Sequence, residues 1–107
     1  PFAEANHEPE VVLNHAADLN FKAGGWVKLS AKATDPDGDE LAYRWWRYQE
    51  ADTYNGNFAI QNADKRIASF NVPVDAKKGD TIHVICEVTD DGTPPLTRYR
   101  RVVVYIR

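Results

Sequence analysis

The sequence predicts an all-β fold: an immunoglobulin-like antiparallel β-sandwich of about seven strands. Three observations lead there. Residues 26–33 alternate cleanly, with Val27, Leu29, Ala31 and Ala33 on one face and lysines on the other. That period of two marks a strand with one wet face. Turn-forming clusters of Gly, Pro, Asp and Asn separate short runs rich in β-branched and aromatic residues, as in sandwiches. No stretch shows helical periodicity, so no helix longer than one turn is expected.

Residues 1–9 are polar and aperiodic and read as a linker, with the sandwich domain spanning 10–107. Residues 11–13 form a short first strand, and 19–23 a second piece of it before the Gly24-Gly25 turn. After residues 26–33 comes Asp35-Pro36-Asp37-Gly38-Asp39, an acidic turn running straight into an aromatic strand over 41–48. Residues 52–56 are a turn-rich loop and 58–60 a short edge strand; a further strand covers 67–72 and stops at Pro73. The turn Lys77-Lys78-Gly79-Asp80 then leads to the two longest strands, 81–89 and 97–106, a hairpin joined by a second acidic turn at Asp90-Asp91-Gly92. In an immunoglobulin-like sandwich these two acidic turns emerge at the same end. The topology therefore gathers Asp35, Asp37, Asp39, Asp90 and Asp91, with the N-terminal segment entering beside them.

Composition narrows the function. With 107 residues, 43% hydrophobic and 27% charged, the chain has the makeup of one folded domain rather than a disordered segment. A net charge of −3 argues against nucleic acid, because phosphate binding needs a basic surface. The lone Cys86 excludes an internal disulfide, and so an antibody-type domain. No apolar run reaches the length of a membrane span, so no membrane insertion is expected. The chain begins at Pro1 and contains no Met, which suggests a piece excised from a longer parent.

Two constellations could carry chemistry. The first is the carboxylate cluster. Ca²⁺ takes six to eight oxygens, and aspartates on adjacent turns supply several. The spacing is not that of an EF-hand, since Gly38 precedes Asp39 and Trp46 stands where the bidentate Glu belongs. The rival reading is turn chemistry, in which these aspartates, Asp35 and Asp90 above all, hold their own backbone amides. The second is an aromatic sheet face. With Tyr43 and Trp45 pointing inward, Arg44, Trp46 and Tyr48 point outward, joined by His83, Ile85, Glu87, Tyr99, Arg101, Val103 and Tyr105. Such a face supports stacking on sugar rings, docking on another protein surface, or a self-supporting cation–π ladder of Arg44 and Arg101. Trp26, Tyr54 and Phe58 could extend it, with Tyr54 the ring most expected to be exposed. Catalysis finds no support. His7, His15 and His83 are scattered, Ser30 and Ser69 sit mid-strand away from them, and Cys86 alternates with core residues.

The turn and strand motifs Leu29-x-Ala31, Asp35-Pro36-Asp37-Gly38-Asp39, Leu41-x-Tyr43-x-Trp45 and Val88-Thr89-Asp90-Asp91-Gly92 resemble the polycystic-kidney-disease-type and cadherin-like sandwich repeats of secreted proteins. A resemblance over nearly the whole chain rests on Asn6-His7-x-Pro9, Tyr43-Arg44-Trp45-Trp46-x-Tyr48 and the run from Val88 through Thr93-Pro94-Pro95 to Arg101. These look like the C-terminal domain of a bacterial family of cellulose-binding proteins whose upstream domain is nucleoside-hydrolase-like. The resemblance implies a non-catalytic accessory module of an extracellular, periplasmic or cell-surface protein. Its expected partner is a polysaccharide or the parent's own upstream domain, with no certain cofactor apart from the candidate Ca²⁺.

Overall fold

The computed structural model describes residues 7–107, and they form a two-sheet β-sandwich. In chain order the strands are β1 (Glu10–Leu13), β2 (Asp18–Phe21), β3 (Trp26–Thr34), β4 (Leu41–Arg47), β5 (Ile67–Asn71), β6 (Thr81–Asp90) and β7 (Thr97–Ile106). One sheet has the order β1-β3-β5 and the other β2-β7-β6-β4. Among the described residues the only helical turn is a 3₁₀ segment, Gln49–Ala51. The seven-strand immunoglobulin-like sandwich expected from the sequence is the fold observed.

The core follows the alternation. Val27, Leu29 and Ala31 of β3 face Ile82, Val84, Cys86 and Val88 of β6, with Val102, Val104 and Ile106 of β7 beside them, all buried. Trp45 is the largest side chain among them, 2% exposed, and its indole N–H donates to the carbonyl of Lys65 at 2.8 Å. That bond satisfies the one polar atom a buried Trp carries. Tyr43 lies one pleat up, half-buried, its hydroxyl accepting the Ala33 N–H at 2.9 Å. Burial pushes the Cys86 thiol up to about 12, so it is an inert core residue.

Two expectations about edges need correction. Residues 19–23 do not continue the first strand. β2 leaves β1's sheet and pairs parallel to β7, Asp18 opposite Val103 and Phe21 opposite Ile106. Residues 14–17 make the crossing, where Asn14 and His15 bind Ser30. The expected edge strand at 58–60 is also absent. Phe58 instead stacks on Phe70, centroids 4.7 Å apart, and the chain forms an isolated bridge one step later, Gln61 with Ser69. Ala63 then accepts the Trp45 N–H at 2.7 Å. This segment joins the exposed edges of β5 and β4, covering backbone groups that would otherwise be a template for pairing.

Candidate functional site

The strand register fixes which residues share the outer face of the four-stranded sheet. Each row across it is read from the pairing: Arg44–Glu87–Tyr99, then Trp46–Ile85–Arg101, then His83–Val103–Asp18, then Thr81–Tyr105–Asn20. Tyr48 continues the third row, its N–H bonded to the His83 carbonyl. The sequence thus places Arg44, Trp46, Tyr48, Tyr99, Arg101 and Tyr105 on one surface, as expected.

Their geometry is less uniform. Tyr99 is 53% exposed, while Trp46, Tyr48 and Tyr105 are half-buried. The indole N–H of Trp46 donates to Glu87 Oε1 at 3.3 Å, the Arg44 guanidinium lies 6.0 Å from the Trp46 ring, and Arg44 reaches Glu87 at 4.0 Å. Trp46 and Tyr48 meet edge to face, centroids 6.2 Å apart and planes at 72°. They brace one another rather than presenting one flat surface. Ile85 is buried although it lies on this outer face, in the row between Trp46 and Arg101. Arg44 stacks as the cation–π reading expected; the cation over Tyr105 is Arg107, at 5.4 Å, held by Asn20. Arg101 is exposed and makes no ring contact among the described residues.

Tyr54 departs from expectation. It is 5% exposed, its hydroxyl donates to Asp75 Oδ1 at 2.8 Å, and the Arg47 guanidinium lies 5.5 Å from its ring. Burial and then the Asp75 contact raise its pKa above the usual tyrosine value. It cannot serve as an exposed stacking ring. A Cβ on Gly56 would sit 2.1 Å from the Tyr54 hydroxyl, so the loop closes over the ring only because residue 56 is glycine.

Arg47 and Asp52 are residues that sequence reasoning missed. Arg47 donates through Nε to Asp52, and through its other nitrogens to the carbonyls of Gly56 and Tyr54 at 2.6 Å each. Its guanidinium also lies 4.8 Å from the Phe58 ring. Asp52, fully buried in its side chain, accepts from the His83 backbone N–H and lies 3.0 Å from His83 Nδ1. This cluster ties the 48–58 loop to β4 and β6 at the end of the sandwich opposite the acidic turns. The signal available in sequence was Arg47 itself, a charge at an inward-facing strand position.

The acidic turns do converge. Carboxylate oxygens of Asp35, Asp37 and Asp39 lie within 4.8 Å of one another. Much of their capacity is already used by backbone. Asp35 accepts the N–H groups of Asp37 and Asp39, each at 3.0 Å. Asp90, buried, accepts those of Gly92 and Leu96, and Asp91 that of Glu40. Asp37 takes the His7 N–H at 2.6 Å and its ring nitrogen at 3.1 Å, so the segment before β1 enters at this end. The backbone bond from His7 holds the Asp37 carboxyl below its usual range. Burial, followed by the nearby Asp35 charge, pushes Asp39 up. As a Ca²⁺ site the cluster offers three carboxylates in reach, so backbone carbonyls and water would complete the shell.

A third feature was not foreseen. Beyond the Thr81–Tyr105 row lies a pocket of about 370 Å³ lined by Thr53, Tyr54, Asn55, Asp75, Lys77 and Asp80. Nor does the structure assemble a catalytic pair at Ser30. His15 does approach it, contrary to expectation, but its Nε2 accepts the Ser30 backbone N–H at 3.1 Å, while the Ser30 hydroxyl accepts from Asn14.

The model of the family described as cellulose-binding protein Sde0182, C-terminal domain, matches residues 26–106. The chain belongs to that family. Across its whole length it is 39% identical to part of a nucleoside hydrolase-related protein of Saccharophagus degradans associated with carbohydrate metabolism, with a TM-score of 0.93. The chain spans 27% of that protein's length. Murine CRIg, at 15% identity and TM-score 0.59 over 94% of this chain and 99% of its own, shares the sandwich fold alone. A comparison with curated protein sequences returns no match. Among the described residues no helix is long and apolar enough to cross a membrane.

Proposed function

We propose that this domain is a non-catalytic accessory module that binds polysaccharide of the cellulose type through the outer face of the four-stranded sheet. Its parent would be a secreted or surface-exposed bacterial protein with a nucleoside-hydrolase-like domain upstream. The observation that carries the reading is the row arrangement around Trp46. One face holds Trp46 and Tyr99 for contact with sugar rings, and Arg44, Glu87 and Arg101 for their hydroxyls. Membership of a cellulose-binding protein family supports the same ligand class. The test is retention of the isolated chain on microcrystalline cellulose. Trp46→Ala is expected to abolish retention, and a variant retained like the parent chain would remove Trp46 from the site.

A second reading is favoured by the 72° angle between Trp46 and Tyr48, because crossed rings fill an interface better than they pave a flat surface. In it the domain docks on its upstream neighbour, with Ca²⁺ at Asp35, Asp37 and Asp39 stabilising the shared boundary. Asp39 is pushed up first by burial and then by the Asp35 charge, and a divalent ion held between these carboxylates would offset that second, like-charge contribution. Millimolar Ca²⁺ is then expected to raise the melting temperature, and Asp37→Ala to cancel the rise. An unchanged melt would leave the aspartates with turn chemistry alone.

A further inference from the structure

We propose that the pocket between the 52–56 loop and the 73–80 turns is a second carbohydrate subsite, which takes the terminal pyranose ring of a glucan. This rests on the carbohydrate-binding reading and adds a chain-end site to it. Position is the first support. Along the outer face the rows run from Arg44 through Trp46 and Tyr48 to Thr81 and Tyr105. Thr53 continues from that last row, since its hydroxyl accepts the Thr81 N–H at 2.8 Å. A glucan lying across Trp46 along the strands would reach the pocket with its end.

The chemistry of the lining is the second support. At about 370 Å³ the pocket has the volume of a small-ligand site, but unlike most it is walled by polar side chains. Two carboxylates and one ammonium share it, an arrangement that favours neither a bare anion nor a divalent cation. Alternating donors and acceptors suit a neutral polyol, each hydroxyl of which both gives and takes a hydrogen bond. The walls are fixed in advance. Asp80 is held by the Thr53 hydroxyl at 3.1 Å and the Lys77 N–H at 2.9 Å, and Asp75 Oδ1 by the Tyr54 hydroxyl. Asp75 Oδ2, the Asn55 amide and Lys77 Nζ have no hydrogen-bond partner among the described residues and are left for a ligand. The Asp75 and Asp80 carboxylates, already oriented by these bonds, lose less entropy on binding.

Cellobiose titration of the isotope-labelled chain, followed through backbone amide resonances, tests this. Saturable shifts are expected at Thr53, Asn55 and Lys77, and Asn55→Ala or Lys77→Ala should each weaken binding about fivefold, the worth of one hydrogen bond. Both side chains are exposed, so the variants should melt like the parent. Absence of saturable shifts at these three amides, or affinity unchanged in both variants, would overturn the subsite. Retention on insoluble cellulose through Trp46 without cellobiose shifts at the pocket would overturn the subsite and spare the sheet face. Pocket shifts in a chain that insoluble cellulose does not retain would support the subsite and remove the face.

Discussion

Asp37 and Asp39 sit two positions apart on one turn and are pushed in opposite directions, which gives the acidic end a signed pH dependence. Asp37, lowered chiefly by the His7 backbone bond, contributes stability above its unfolded value and loses it as pH falls through its folded value. Asp39, raised by burial and by Asp35, opposes folding when ionised, so this penalty disappears as pH falls through its raised value. Asp39→Asn is therefore expected to raise the melting temperature at neutral pH, with the gain vanishing in acid where Asp39 is protonated. Melting curves at both pH values check it; a lower neutral-pH melting temperature would mean that the Asp39 charge stabilises the turn. The turn-holding roles of Asp35 and Asp90 were legible in the sequence, because Asp before Pro or Gly bonds its own backbone. The partnership of Asp37 with His7, thirty residues away, was not. Tyr54 was misread for a related reason: its loop folds back beneath Arg47, and only Gly56 hints at that closeness.

At the scale of elements, the alternating strands were readable because one face of each is buried, and slipping the register would expose every core side chain. β3, β6 and β7 show this, with Val27, Val84 and Val104 all inward. The loop after β4 was not readable, since its order comes from a charge cluster assembled out of Arg47, Asp52 and His83. Asp52 is the common partner, and its side chain is inaccessible. Asp52→Ala would strand the Arg47 guanidinium in a nearly closed site and should cost about 3–5 kcal/mol. Denaturant unfolding measures this directly. A loss under about 1 kcal/mol would place the pair among ion pairs that water screens. The same variant should also disturb the pocket, because the 52–56 loop forms one of its walls. The edge segment at 61–65 was misplaced by a few residues because Phe58 prefers the Phe70 ring to a ladder position.

At the scale of the molecule, the two ends and the two sheets divide the work. The acidic end receives the segment before β1, through His7 on Asp37 and Glu8 beside Arg98 at 3.2 Å. The opposite end carries the buried Arg47 cluster and the polar pocket. Between them the four-stranded sheet presents Arg44, Trp46, Tyr99 and Arg101 outward, while the other sheet mixes Lys28 and Lys32 with the exposed Val12 and Ile67, and carries Trp26 at its margin, 58% exposed. The layered architecture and the outward phase of Trp46 follow from a period of two and were legible in the sequence. The crossed rings, the Arg107 cover over Tyr105 and the pocket depend on contacts between segments distant in sequence, which periodicity does not encode. In the proposed function the sheet face around Trp46 binds polysaccharide without help from the rest of the parent protein. A depletion isotherm of this isolated chain on microcrystalline cellulose tests it most directly. Saturable binding that Trp46→Ala abolishes, with the variant's melting temperature intact, is the predicted result; a chain that stays in solution at every cellulose load would contradict it.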